Sequence, residues 1–241
     1  MALPLNRRLK QGLRRAYDAG ARLYLAPLLR YEWRHPPIPD NRERMFQFEF
    51  AMRAIARHQP ADLLDVGAGL NSWPDLVASC GIRVTATDEV RGYWGSMFNR
   101  HFHVIPDDIV DSKLEGQWDI VTCLGVLTCI EDDAAAVRNL FRLVKPGGHL
   151  VATFAFKEHE AVPNAYDLPG ATYGKGFRFI CRMFSRTELD GWLRDNGGEL
   201  EEQEHYQVFS GDYWAQGERV APRRVRAQDL HHYTAVSIRK L

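Results

Sequence analysis

A chain of 241 residues, 45% hydrophobic and 26% charged, is long enough for one α/β domain with a large core and short for two, and its composition excludes disordered and fibrous classes. Lys plus Arg equals Asp plus Glu at 31 each, so no global field draws the chain to a polyanion, and no nucleic-acid partner is expected. The most apolar run, Ile120 to Ile130, is shorter than the ~18 residues of a membrane span, the start lacks a signal-peptide core, and Cys80, Cys123, Cys129 and Cys181 lack zinc-site pairing, so buried, reduced thiols in a cytoplasmic protein are expected.

In chain order, residues 1–30 carry Arg7, Arg8, Lys10, Arg14, Arg15, Arg22 and Arg30 against one acid, Asp18, while Leu5, Leu9, Leu13 and Tyr17 recur at helical spacing. That pattern predicts a basic amphipathic helix, which Pro27 should end or kink. Two readings of its leucine face stand side by side: docking on the following domain, or peripheral contact with the inner face of a membrane. The run His35-Pro36-Pro37-Ile38-Pro39 cannot be helical and closes residues 1–39 as an extension with a stiff linker. Residues 40–241 are expected to form one domain. It should open on a helix capped by Asp40 with Glu43 three residues on, burying Met45, Phe46, Met52 and Ile55 and stopping at Pro60.

From there short apolar strands alternate with helices. Expected strands are Asp62–Val66, Arg83–Thr87, His103–Ile105, Asp119–Cys123 and His149–Phe156, with helices at Trp73–Ser79 and Asp133–Leu143. This rhythm predicts a doubly wound, Rossmann-like parallel sheet covered on both faces. Residues 157–178 read as a long irregular excursion. Ser185 with Glu188 then forms a capping box, Gly197-Gly198 ends that helix, and strands at Glu201–Phe209 and His232–Arg239 flank a loop holding Arg219, Pro222, Arg223, Arg224 and Arg226.

The first strand runs into Asp65-Val66-Gly67-Ala68-Gly69-Leu70-Asn71, where two glycines permit positive φ and a close approach of backbone to a ligand. Asp88, nineteen residues after Gly69, suits a ribose diol. Asp107-Asp108 followed by Ile109 pairs an acceptor with an apolar wall, which an adenine ring requires.

These segments, with Trp118-Asp119-Ile120-Val121-Thr122-Cys123-Leu124 and Leu143-Val144-Lys145-Pro146-Gly147-Gly148, resemble in order and spacing the motifs of the class I S-adenosylmethionine-dependent methyltransferases. The resemblance runs from about residue 45 to the C-terminus. It implies a seven-stranded sheet with a reversed last strand and S-adenosylmethionine as cofactor. It puts Gly67 and Gly69 beneath the methionine part and Asp65 near its amino group. Asp88 would then lie on the ribose, Asp108 and Ile109 on adenine, and the Leu124 carbonyl near the methionine. Two positions depart from the family pattern. Asn71 takes the place of a third glycine, where its tolerance of left-handed conformations would preserve the turn, and Gly125-Val126-Leu127-Thr128-Cys129-Ile130 replaces Glu-Val-Leu-Glu-His-Ile, removing a histidine near the methyl group.

A hydroxyl acceptor benefits from a base, and His159 in Lys157-Glu158-His159-Glu160 is the candidate, against the reading of a solvated loop histidine. His101, His103, His205, His231 and His232 have weaker claims. Tyr166, Tyr173, Phe177, Tyr213 and Trp214 would either stack on a sugar or flat ring or pack the excursions onto the domain. The favoured acceptor is a sugar hydroxyl in surface or lipid-linked glycan synthesis. The alternatives are another small molecule or lipid, a hydride-transfer enzyme of dinucleotide type, or a cofactor-binding regulatory protein without turnover. No metal is expected, since the segment after Leu124 lacks the carboxylates of catechol-type relatives.

Overall fold

The computed structural model describes residues 4–34, 42–69, 71–89, 104–177 and 179–241, with backbone alone at 4–8, 11, 28–29 and 32–33. The proline linker, Asp40, His101 and His103 lie outside the described residues. Two units, Met1–Asn41 and Arg42–Leu241, separate by their internal contacts and are described each by itself. In the first, helix α1 spans Pro4–Arg34 and continues through Pro27, so the expected stop does not occur there. A proline removes one N–H from the ladder, and a long helix can continue on the bonds before and after it.

In the second unit α2 (Glu43–His58) begins at Glu43, and Arg42 caps it without a side-chain hydrogen bond. Phe46, Phe50, Ala54 and Ile55 form its buried stripe, whereas Met45, expected inside, is 62% exposed. It precedes Phe46 on the helix, about 100° round from the stripe. Gln59 adopts the left-handed conformation, and its N–H closes the last turn onto the Ile55 carbonyl at 2.8 Å.

The strands β1 (Asp62–Val66), β2 (Arg83–Asp88), β3 (Val104–Pro106), β4 (Trp118–Leu124), β5 (Val144–Ala155), β6 (Gly198–Phe209), β7 (Arg219–Val225) and β8 (Tyr233–Lys240) form one sheet in the order β3-β2-β1-β4-β5-β8-β6-β7. β1 to β5 are mutually parallel, and β8 enters antiparallel between β5 and β6. The doubly wound sheet with its reversed last strand is therefore present. It has eight strands rather than seven, because the arginine-rich stretch expected as a loop is β7, paired antiparallel with the outside of β6. Its side chains are held by polar partners instead of an apolar face: Arg224 pairs with Glu204 at 2.5 Å, and Arg223 donates to Gln207 at 2.8 Å.

Consecutive residues on each central strand face opposite layers, as the period of two requires. Leu63, Ile120 and Val151 pack with α2 and with Trp73 and Val77 of α3 (Trp73–Ser79). Their neighbours Leu64, Val121 and Leu150 pack with Leu140 and Phe141 of α4 (Asp133–Leu143) and Leu189 and Trp192 of α5 (Arg186–Asn196). Both caps of α5 follow the sequence expectation: Ser185 and Glu188 form the reciprocal box, and Gly197 takes the left-handed position. Lys145 reaches back from the start of β5 to Asp62 at 3.0 Å and Asp119 at 2.8 Å. It clasps the starts of β1 and β4, and the Lys145 hydrogen bond holds the Asp119 carboxyl below its ordinary range. The opposite ends of these strands are left to carry the loops.

Candidate active site

At the C-terminal end of β1 the Gly67 and Ala68 N–H groups donate to the Thr87 carbonyl at 2.9 and 3.0 Å, binding the glycine loop to the end of β2. Gly67 has φ 76°, and a Cβ there would lie 2.3 Å from a methyl of Val126, so only glycine fits beneath the segment after β4. Gly69 donates its N–H to Asp88 at 2.7 Å. The Asn71 side chain donates to the Ala68 carbonyl and accepts from Trp73 N–H at 2.8 Å, so it closes the loop and starts α3.

Asp107 N–H donates to the Asp88 carbonyl at 3.1 Å, which joins the ends of β2 and β3. Beyond it Asp108 accepts from Val110 N–H at 3.0 Å and caps a single 3-10 turn that buries Ile109. Asn139 of α4 holds that turn from below through the Ile109 and Val110 carbonyls. Asp65, Gly67, Gly69, Asp88, Asp108, Ile109 and Leu124 thus all lie at the C-terminal ends of parallel strands or in the loops leaving them, where ligands bind in open α/β sheets.

The floor of this region holds two charged groups with unmet capacity. Burial pushes the Asp65 carboxyl up to about 7, against the opposing pull of its Thr122 hydrogen bond and the nearby Arg44 guanidinium. Its Oδ1 accepts from Thr122 Oγ1 at 2.7 Å, while Oδ2 is buried without a partner. Arg44, in the first turn of α2, donates to the Leu124 carbonyl at 2.8 Å and to Gln47 at 3.0 Å. Burial lowers its affinity for the proton, and its Nε has no partner. A buried polar group left unpaired costs about 1–3 kcal/mol, so the orphaned Asp65 acceptor and the orphaned Arg44 donor each call for a partner. Sequence reasoning missed Arg44. The available signal was the polar set Glu43, Arg44 and Gln47 interrupting the apolar stripe of α2.

Gly125, at φ 73°, lets Gln47 and the Tyr233 hydroxyl approach, since a Cβ there would lie about 3 Å from both. Burial raises the Tyr233 hydroxyl, which therefore keeps its proton as a donor. Glu43 pairs with Arg219, whose guanidinium lies over the Tyr173 ring at 4.8 Å. Tyr166 and Tyr173 meet Phe177 edge-on, and Trp214 packs on Phe209 and Tyr233, so these aromatics pack mainly on one another. Thr128 accepts from Ala155 N–H at 3.0 Å, and its carbonyl accepts from Arg182 N–H, giving the altered segment after β4 a structural role. Cys80 and Cys129 are exposed, contrary to expectation, while Cys123 and Cys181 are buried.

After β5, Lys157 donates to the Asp212 carbonyl, Glu158 pairs with Arg186 and is held below the carboxylate range by it, and Glu160 accepts from Tyr213. His159 is exposed, and among the described residues it alone of these four side chains shows no polar partner. Burial pushes His205 and His232 down to about 4 and also lowers His231. His232 accepts from Val208 N–H and donates to the Gly211 carbonyl, a structural engagement of both ring nitrogens.

Among known proteins, the ubiquinone biosynthesis O-methyltransferases of Pseudomonas paraeruginosa and Pseudomonas savastanoi are 28% and 26% identical over 153 and 156 residues, in each case 58% of this chain and 65% of the relative. The chain thus spans just under two thirds of the length of these curated relatives. A solved 1,6-didemethyltoxoflavin-N1-methyltransferase from Burkholderia thailandensis, with bound S-adenosylhomocysteine, superposes with a TM-score of 0.54 at 19% identity over 100% of this chain and 91% of that one. Magnesium protoporphyrin IX methyltransferase from Synechocystis does so with a TM-score of 0.56 at 16% identity, covering 93% and 99%. The profile of the family described as a methyltransferase domain matches residues 31–216, more than half of the chain. With the reversed-strand sheet and the glycine loop at its strand ends, the chain belongs to that methyltransferase family and has the class I fold.

Proposed function

We propose that this chain is an S-adenosylmethionine-dependent O-methyltransferase acting on a hydroxyl of a small molecule. The observation that carries this reading is the two unmet groups near the strand ends, Asp65 Oδ2 as acceptor and Arg44 Nε as donor. They match the ammonium and carboxylate of the amino-acid half of the cofactor. Gly67 and Gly69 leave room for backbone approach, Asp88 lies where ribose hydroxyls need an acceptor, and Asp108 with Ile109 offers adenine a hydrogen-bond partner and an apolar wall. When bound, the cofactor supplies a methyl group already activated by its sulfonium.

The residues of the chain then have to orient the acceptor and take one proton. His159 is the proposed base, because its neighbours Lys157, Glu158 and Glu160 are engaged and its imidazole is solvent-facing. Oxygen as the methylated atom is supported by the relatives named as O-methyltransferases. A narrower reading makes the hydroxyl that of a sugar in a surface or lipid-linked glycan. Its support is the aromatic and arginine-rich excursion around Tyr173, Arg219 and Trp214, together with α1, whose basic side chains we propose to rest on an anionic membrane face. No helix of the described residues is long and apolar enough to cross a membrane.

Calorimetry tests the cofactor assignment. S-adenosylhomocysteine is expected to bind with micromolar affinity, and Arg44→Ala to weaken it by about 1–3 kcal/mol through loss of a charge-assisted hydrogen bond. Absence of binding, or preference for a nicotinamide cofactor, would overturn the reading. Labelled cofactor with a panel of phenols, sugars and lipids then separates the acceptor classes, and binding without any turnover identifies a regulatory protein.

A further inference from the structure

On the α2 face of the sheet, toward the starts of the parallel strands and away from the cofactor pocket, three potential metal ligands converge. His58 is the last residue of α2, His149 lies on β5 and Glu201 on β6. The two imidazoles stack with ring centres 3.6 Å apart and planes inclined by 25°. Both aim Nε2 at one carboxylate oxygen, Glu201 Oε2, at 3.1 Å from His149 and 3.8 Å from His58. The three ligand atoms all lie within 4.8 Å of one another. His58 Nε2 is buried without a hydrogen-bond partner.

A backbone irregularity delivers the carboxylate. Glu199 pairs with Arg239 and Leu200 with Ile238, but the next pair is Glu202 with Ser237, so Glu201 is an inserted residue opposite β8. Arg239 and Ser237 point to the same face, and the bulge therefore puts both Glu201 and Glu202 on the side of α2. The two carboxylates serve different partners. Glu202 pairs with Arg53 and Arg57, Glu199 pairs with Arg239, and the remaining contact of Arg239 is with the other oxygen of Glu201 at 3.2 Å. Oε2 is thereby presented to the imidazoles.

We propose that His58, His149 and Glu201 bind a divalent transition-metal ion of the zinc class through the two Nε2 atoms and a Glu201 carboxylate oxygen. Two imidazoles and a carboxylate are a donor set that suits zinc and its neighbours rather than magnesium or calcium, and exposure of Glu201 leaves water as a fourth ligand. The ion would tie the end of α2 to β5 and β6, a structural clamp independent of the methyl-transfer reading.

The test uses the full chain, stripped with chelator and titrated with zinc chloride by calorimetry, with cobalt(II) absorption as a second readout. One equivalent is expected to bind at micromolar affinity and to raise the melting temperature by several degrees. His58→Gln and Glu201→Gln, at the less buried ligand positions, should each weaken binding at least tenfold and lose the thermal shift. A variant with Cys80 and Cys129 replaced by Ser should bind as the wild type does. No uptake at 100-fold excess, equal affinity in His58→Gln and Glu201→Gln, or loss of binding in the cysteine variant would each overturn the site.

Discussion

Asp65 combines two opposed demands. Its carboxyl has a proton affinity near neutrality in the fold, whereas in the unfolded chain it titrates near 3.9. Between these values the folded state holds the extra proton, so this group lowers stability as pH rises from about 4 to 7, and the penalty is then constant. Asp65→Asn should therefore be more stable than wild type at pH 8, by about 1–2 kcal/mol once the lost attraction of the carboxylate for the nearby Arg44 charge is set against it, with the difference vanishing near pH 4. The ionised carboxylate is the form that receives an ammonium. Affinity for S-adenosylhomocysteine in the wild type is expected to fall as pH drops below 7, and calorimetry of Asp65→Asn across the same range should give weaker binding without that slope. Equal pH slopes in the two proteins would remove the carboxylate from the binding account. The position of Gly67, Asp88 and Asp108 at strand ends was legible in the sequence because each belongs to a local pattern there. The approach of Arg44 to the strand ends was not, since its bond to the Leu124 carbonyl joins α2 to β4 through a side chain that no local spacing records.

At the scale of elements, strands with an apolar face were readable and those without one were not. Leu63-Leu64, Ile120-Val121 and Leu150-Val151 feed both cores, and they announce buried parallel strands. The segment from Arg219 to Val225 contains a proline and three arginines and buries no residue fully, so nothing in its periodicity separates an edge strand from a loop. Proline also misled in the other direction, since α1 passes through Pro27. Along α1, Leu9, Leu13 and Tyr17 share a side at intervals of four, with Lys10, Arg14 and Arg15 close by. Several basic residues, each contributing about 1 kcal/mol near an anionic surface, would give measurable adsorption. The intact chain should pellet with anionic vesicles at low salt and release at high salt, and a truncated chain beginning at Pro36 should stay in the supernatant and still bind cofactor. Equal pelleting of both would dissociate α1 from membrane contact.

Over the whole domain the two ends of the sheet do different work. Lys145, Asp62 and Asp119 close the end where strands begin, with His58, His149 and Glu201 nearby, while the residues we propose for the cofactor lie where strands finish. Chelation should therefore leave S-adenosylhomocysteine affinity unchanged while lowering the melting temperature of zinc-loaded protein; loss of cofactor binding in EDTA, restored by magnesium, would reveal a metal within the pocket instead. Among the described residues β3 and β7 are the outer strands of the sheet, and an outer strand offers backbone groups to a further strand. β3 has three described residues and ends in Pro106. β7 carries Pro222, which cannot donate, between long cationic side chains at Arg219, Arg223 and Arg224. On β7 an added strand would strand a carbonyl opposite Pro222 and face like charges. The residues that disguise β7 as a loop are thus the same ones that disfavour pairing of a further strand along that edge.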